Sequence, residues 1–151
     1  MQLPLPEHLN SERILNFIEP NKDVDGLHPF NIGSLALKNH YPFYVSCTPL
    51  ACLELMQREF PGKDALVGKK VCIIGRSNIV GNPLSLLLSK QNCSVVMCHS
   101  HTPRSEIINQ IGNAEVLITC CGDPEFVQAE WVSEGTIIID VGITYQNEEE
   151  S

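Results

Sequence analysis

The chain has 151 residues, 43% of them hydrophobic and 19% charged, with a formal net charge of -8 at pH 7. That length suits one domain or one and a half, with enough apolar residues for a core. The acidic balance argues against nucleic acid as a partner, and the apolar runs stop short of the roughly 18 residues a membrane helix needs. Met1 to Pro6 lacks the basic and apolar regions of a signal peptide, so no membrane association and an intracellular, cytoplasmic location are expected.

Residues 1–48 are rich in Pro and polar loop residues. Within them, Asn10 can cap a helix with Ile14, Leu15 and Ile18 on its apolar face, ended by Pro20. Asn21 to His28 reads as a loop carrying Asp23, Asp25 and Gly26. A helix is predicted from Thr48-Pro49, cap followed by first-turn proline, with the stripe Leu50, Leu53, Met56 and Phe60, stopped by Pro61-Gly62.

From residue 69 onward short apolar runs alternate with helical patterns. Strands are predicted at Lys70 to Ile74, Ser94 to Cys98, Val116 to Cys120 and Thr136 to Asp140. Helices are predicted from Pro83, with Leu84, Leu87 and Leu88 on one face, and from Thr102-Pro103, with Ile107, Ile108 and Ile111, closed by Gly112. Continuous apolar strands separated by helices imply a parallel sheet covered on both faces. The expected class is therefore α/β, a doubly wound parallel-sheet Rossmann domain. The acidic tail, residues 148–151, is expected to be solvated and frayed.

The seven cysteines are odd in number and form no CxxC. Most lie in or beside apolar runs, which fits reduced core thiols. A zinc site from Cys98, His99, His101 and Cys120 is disfavoured, because neighbouring strand residues point to opposite faces. No metal is expected.

Gly75-Arg76-Ser77-Asn78-Ile79-Val80-Gly81 joins the first strand to the next helix. Such a turn suits a pyrophosphate, because glycine lets the backbone approach and the helix N-terminus offers amides and a positive dipole end. The spacing is not GxGxxG, and a tight strand-to-helix turn without ligand remains an alternative. The second strand ends Cys98-His99-Ser100-His101-Thr102, with no carboxylate to accept from a ribose 2′-OH. Hydroxyls and imidazoles there, with the guanidinium of Arg76, can donate to a 2′-phosphate, which favours NADP over NAD.

Six blocks then carry a resemblance. They are Gln2-Leu3-Pro4-Leu5-Pro6, Lys22-Asp23-Val24-Asp25-Gly26, Cys47-Thr48-Pro49, the Gly75 to Gly81 turn, Cys98-His99-Ser100 and Ile139-Asp140-Val141-Gly142-Ile143. In this order they resemble the methylenetetrahydrofolate dehydrogenase/methenyltetrahydrofolate cyclohydrolase family over almost the whole chain. That family oxidises 5,10-methylenetetrahydrofolate with NADP and hydrates the product to 10-formyltetrahydrofolate. The resemblance implies that Gln2 and Asp25 are catalytic and that Gln2, Leu3 and Asp25 contact tetrahydrofolate derivatives, Asp25 at the pterin ring. It implies cofactor contacts from Thr48, Gly75, Arg76, Ser77, Ser100 and Ile143, with Arg76 and Ser100 near the 2′-phosphate. It also implies a homodimer paired through an edge strand. Residues 1–48 would form part of a folate-binding α/β segment and residues 49–147 the NADP-binding domain.

The chain departs from that pattern in three places. The family's upstream YxxxK segment and its downstream PGGVGP-type loop have no counterpart here, and the usual CTPxG reads Cys47-Thr48-Pro49-Leu50-Ala51. Without the proton-transfer lysine, the chain as given is expected to lack cyclohydrolase activity and to have weak dehydrogenase activity or none. Residues 1–48, short of packing partners, are expected to be partly disordered. The competing readings are a non-catalytic NADP-binding remnant or partner subunit of that family, and an unrelated Rossmann reductase.

Overall fold

The protein is described here as a computed structural model covering residues 5–144. Helix α1 spans Ser11–Leu15, α2 Pro29–Ala36 and α3 Cys47–Glu59. Strand β1 (Lys70–Ile74), α4 (Gly81–Lys90), β2 (Ser94–Cys98), α5 (Arg104–Gly112), β3 (Val116–Thr119) and β4 (Ile137–Asp140) follow. The sheet is four-stranded and all parallel, in the order β2-β1-β3-β4.

Alternation along the strands divides the core into two layers. Val71 and Ile73 of β1, Val116 and Ile118 of β3 and Ile139 of β4 pack against α3 and α4 through Cys52, Met56, Leu84 and Leu88. On the other face Cys72, Ile74, Cys98 and Leu117 pack against Ile107 and Ile111 of α5. The doubly wound arrangement is therefore real. Coverage on both faces is complete only for the inner strands, since Val96 on β2 is 41% exposed and Ile138 on β4 54% exposed.

Several boundaries differ from those expected, each for a local reason. The buried stripe of α3 is Pro49, Cys52, Leu53 and Met56, so the i, i+3, i+4, i+7 spacing starts from Pro49 and leaves Leu50 exposed. Thr48 lies inside this helix, and Ser46 stands at its N-cap. Asn10 does cap α1, accepting from the Arg13 amide at 2.8 Å, yet the helix ends at Leu15 and Ile18 lies beyond it. Pro83 sits in the first turn of a helix that begins at Gly81. Thr102 opens no helix, because its hydroxyl accepts from the His99 amide at 3.0 Å and Pro103 takes the N-cap. Gly112 is the last residue of α5, and Asn113 closes the turn. β3 stops at Thr119 and β4 starts at Ile137.

Part of residues 5–46 packs on the rest of the chain. Leu35 of α2 joins the α3–α4 core layer. The ammonium of Lys90 donates to the Ser34 carbonyl at 2.8 Å and to that of His40, tying this segment to the end of α4.

Cys52, Cys72, Cys93 and Cys98 behave as core hydrophobes, while Cys47 is exposed. Burial pushes Cys72 and Cys120 up to about 12 and raises Cys52, Cys93 and Cys98 as well. Among the described residues no group of three His, Cys, Asp or Glu side chains could hold a metal ion.

One exposed ion pair carries a pH prediction. Glu115 accepts from the Lys69 ammonium at 2.6 Å and from the Lys70 amide at 3.0 Å, and these bonds hold its carboxyl below the usual range. A depressed folded-state pKa contributes stability above the unfolded value, and that stability is lost as pH falls through the folded one. With both side chains partly exposed, Glu115→Gln should cost only about 0.5 kcal/mol at pH 7. Denaturation midpoints of the two proteins should converge as pH falls through the carboxylate range. A constant gap down to acid pH would contradict the assignment.

Candidate functional site

The C-terminal ends of parallel strands form a crest where a strand-to-helix turn can present backbone amides. Here the turn follows β1, an inner strand flanked by β2 and β3. The Gly75 amide donates to the Cys98 carbonyl of β2 at 2.8 Å. Gly75 adopts φ +119, and a Cβ there would come within 3.1 Å of the Cys120 carbonyl oxygen. A Cβ on Gly81 would overlap the Gly75 carbonyl oxygen and approach the Gly75 carbonyl carbon to 2.8 Å. The turn is thus folded back on itself as tightly as a backbone permits, with both ends glycine.

No side chain caps α4. The Ser77 hydroxyl accepts from the Val80 amide at 3.2 Å and the Ser77 carbonyl accepts from the Asn82 amide at 3.0 Å, which curls residues 77–82 around the helix start. Arg76 and Ser77 project from this turn exposed to solvent. Beside them, past β2, the His101 amide donates to His99 Nδ1 at 3.2 Å, and Ser100 Oγ lies 3.1 Å from His101 Nδ1. Gly75, Arg76, Ser77 and Ser100 are therefore brought together at neighbouring strand ends. Among them stands no carboxylate, as the sequence indicated.

Ile143 sits apart from this group, beyond β4, and is 73% exposed. The Thr144 hydroxyl donates to the Gly122 carbonyl at 2.9 Å, holding the exit of β4 against that of β3. At the base of this exit Asp140 accepts from the Thr119 hydroxyl at 2.5 Å and from the Gly142 amide at 2.9 Å.

Thr48 is the second residue of α3 and is half-buried. Asp25, also half-buried, lies next to the start of the same helix, because the Ser46 hydroxyl donates to the Asp25 carbonyl at 2.9 Å. Gln2 and Leu3 lie outside the described residues. A cavity of about 490 Å³ separates the N-terminal segment from the turn, lined by Glu12, Leu15, Leu27 and Ile32 on one side and by Asn78 and Asn82 on the other.

Sequence reasoning missed the frame behind Asp25. Asp23, 4% exposed, accepts from the His28 amide at 2.7 Å and from Asn31 Nδ2 at 2.8 Å. Asn31, fully buried on α2, also donates to the Pro20 carbonyl at 3.0 Å and accepts from the Phe43 amide at 3.0 Å. The available signal was a polar residue, Asn31, two positions after Pro29, with no apolar periodicity to mark the helix.

The turn thus pairs a glycine-bounded backbone with a helix start that no side chain caps. Residues 46–151 match the family profile described as tetrahydrofolate dehydrogenase/cyclohydrolase, NAD(P)-binding domain. The chain belongs to this family. Over 143 residues it is 48% identical to the bifunctional protein FolD of Dichelobacter nodosus, covering 95% of this chain and 47% of that protein. FolD 2 of Arabidopsis thaliana is 46% identical over 142 residues, covering 94% of this chain and 46% of that one. The chain thus spans about half the length of these relatives. Among solved structures, the Trypanosoma brucei methylenetetrahydrofolate dehydrogenase-cyclohydrolase, complexed with NADP and an inhibitor, superposes with a TM-score of 0.87 at 34% identity. That superposition covers 99% of this chain and 50% of the other. The Campylobacter jejuni enzyme superposes with a TM-score of 0.85 at 35% identity.

Proposed function

We propose that the chain is the cofactor-holding part of an NADP-dependent 5,10-methylenetetrahydrofolate dehydrogenase, which in its full family form also hydrolyses the methenyl product to 10-formyltetrahydrofolate. The observation that carries this is the Gly75–Gly81 turn, where the space a Cβ would fill is taken by backbone. Within it, residues 49–147 form the cofactor domain and residues 1–48 part of the folate-binding wall.

NADP fits the donors present. The turn amides face the pyrophosphate, and the positive end of α4 adds to their field. Arg76 and Ser100, on adjacent strand ends, reach the 2′-phosphate, Arg76 through a planar fork of N–H donors. Gly75 and Ser77 shape the turn, Thr48 holds the nicotinamide side and Ile143 lines the far edge. When bound, NADP supplies the hydride acceptor. Asp25 offers a carboxylate to the N–H groups of the pterin, and Gln2 and Leu3 complete that wall. Hydride transfer then depends mainly on holding two carbons close and aligned, which is the task of these residues. No lysine of this chain stands in a YxxxK motif, so residues 1–151 by themselves should not hydrate the methenyl product.

The remaining readings follow from the same frame. β2 is an edge strand with Val96 exposed, which suits pairing with a second copy of the chain into a homodimer. The free thiols suit a reducing, cytoplasmic setting. No described helix is long and apolar enough to cross a membrane.

Calorimetric titration tests the cofactor reading. NADPH should bind, and NADH more weakly. Arg76→Ala should weaken NADPH about 10- to 100-fold, corresponding to the loss of a charge-assisted contact of about 1.5–3 kcal/mol, and leave NADH nearly unchanged. Equal losses for both cofactors would remove Arg76 from the 2′-phosphate. Absence of heat with either cofactor would sink the proposal.

A further inference from the structure

Ser46 breaks a local rule. It occupies the N-cap of α3, where a serine hydroxyl ordinarily accepts from a first-turn amide, yet it makes no such bond. Its hydroxyl instead donates 2.9 Å to the Asp25 carbonyl, 21 residues away in sequence. Ser46 is only 5% exposed, so water competes little for this bond.

The loop it grips is built for close contact. Gly26 adopts φ +66, and a Cβ there would come within 2.9 Å of both the Ser46 nitrogen and the Tyr44 carbonyl oxygen. On its other side the loop is pinned by buried Asp23, whose carboxylate accepts from His28 and Asn31 and whose carbonyl accepts from the Gly26 amide at 2.9 Å. The main chain on either side of Asp25 is therefore fixed at two points, Asp23 toward α2 and Ser46 toward α3.

We infer that Ser46 is a positioning residue: its hydroxyl holds the Asp25 main chain against the first turn of α3, so that the Asp25 carboxylate and Thr48 are presented as one rigid unit. A carboxylate on a loop free to shift by an ångström would lose most of its orienting effect on a ligand. The inference rests on the folate reading of Asp25 for its consequence, though the positioning itself does not.

The test uses the full chain and the variants Ser46→Ala, Ser46→Val and Ser46→Thr, with Ser133→Ala as a remote control, since Ser133 donates a similar bond to the Gly112 carbonyl far from this loop. Two quantities are read: amide hydrogen exchange at residues 24–28 without ligand, and calorimetric affinities for tetrahydrofolate and NADPH. Ser46→Ala and Ser46→Val should raise exchange at residues 24–28 about tenfold and weaken tetrahydrofolate binding about tenfold. NADPH affinity should stay within about twofold, Ser46→Thr should restore both quantities, and Ser133→Ala should change neither. Unchanged exchange in Ser46→Ala overturns the inference. So does raised exchange with undiminished tetrahydrofolate affinity, or loss of the fold in both the Ala and Val variants, which would make the bond purely structural. Raised exchange in a protein that binds no tetrahydrofolate in any form would keep the positioning and remove the folate reading of Asp25.

Discussion

Gly81→Ala should weaken NADPH binding at least about a hundredfold and destabilise the fold by about 2–3 kcal/mol, the range of overpacking a site that cannot yield. The new Cβ would overlap the Gly75 carbonyl oxygen, approach its carbonyl carbon to 2.8 Å and Arg76 Cα to 3.0 Å. All three are backbone atoms, so no side chain can swing away. Relief requires moving residues 75–76, which are held by the Gly75 amide bond to the Cys98 carbonyl and, through β1, by the sheet. Opening the turn separates the amides proposed to face the pyrophosphate. Gly33→Ala makes the matched control, because a Cβ at Gly33 meets nothing within 4 Å and that residue lies inside α2. It should be neutral or stabilising, by up to about 1 kcal/mol, from helix propensity alone. Thermal melts and NADPH calorimetry on both variants decide the matter. Affinity in Gly81→Ala within about threefold of the parent would mean that the turn does not carry the cofactor.

Asn31→Ala should cost about 3–4 kcal/mol and should loosen residues 5–46 before the sheet. The Asn31 amide is fully buried and serves three groups at once: the Pro20 carbonyl, the Asp23 carboxylate and the Phe43 amide. Truncation strands all three where water has little access, and a stranded buried group costs more than its bond contributes. Asp23 keeps the His28 amide and so does not become wholly uncompensated, which limits the loss. The four-stranded sheet shares few of these bonds, so it should survive. Limited proteolysis should then cut within residues 5–46 at temperatures where residues 70–140 stay protected. A single cooperative melt with no early cleavage would show that the segment is not an energetic unit of its own.

Both predictions concern backbone carbonyls and amides, and these were the parts least legible in the sequence. The Gly75–Gly81 turn could be located from glycine positions, and the absence of a carboxylate after β2 could be read directly. The approach of Gly81 to the Gly75 carbonyl could not, because it depends on how residues 76–80 curl. The turn after β1 and the polar end of β2 were read from strand ends, while the individual contacts Gly75, Arg76, Ser77 and Ser100 came from the resemblance; parallel pairing of β1 with β2 does bring those ends together. Asp25 and Thr48 were named by resemblance, while Ser46, which links the Asp25 loop to the start of α3, had no local mark: a serine before Cys-Thr-Pro reads equally well as an ordinary cap. Helix α2 escaped notice for a related reason. Two of its three buried residues are Asn31 and Ser34, so its inward face has no apolar period to detect.

By itself the amino-acid order determined the alternation of strands and helices, the parallel α/β class and the position of the glycine-bounded turn after β1. Those depend on short-range spacing of apolar residues, glycine and proline, which is a property of neighbours along the chain. Tertiary structure alone decided the strand order β2-β1-β3-β4, which strands are inner and which leave Val96 or Ile138 open. It also decided that the Asp25 loop rests on the start of α3 through Ser46. These follow from which surfaces meet when separate elements pack, and no window of neighbouring residues contains that information.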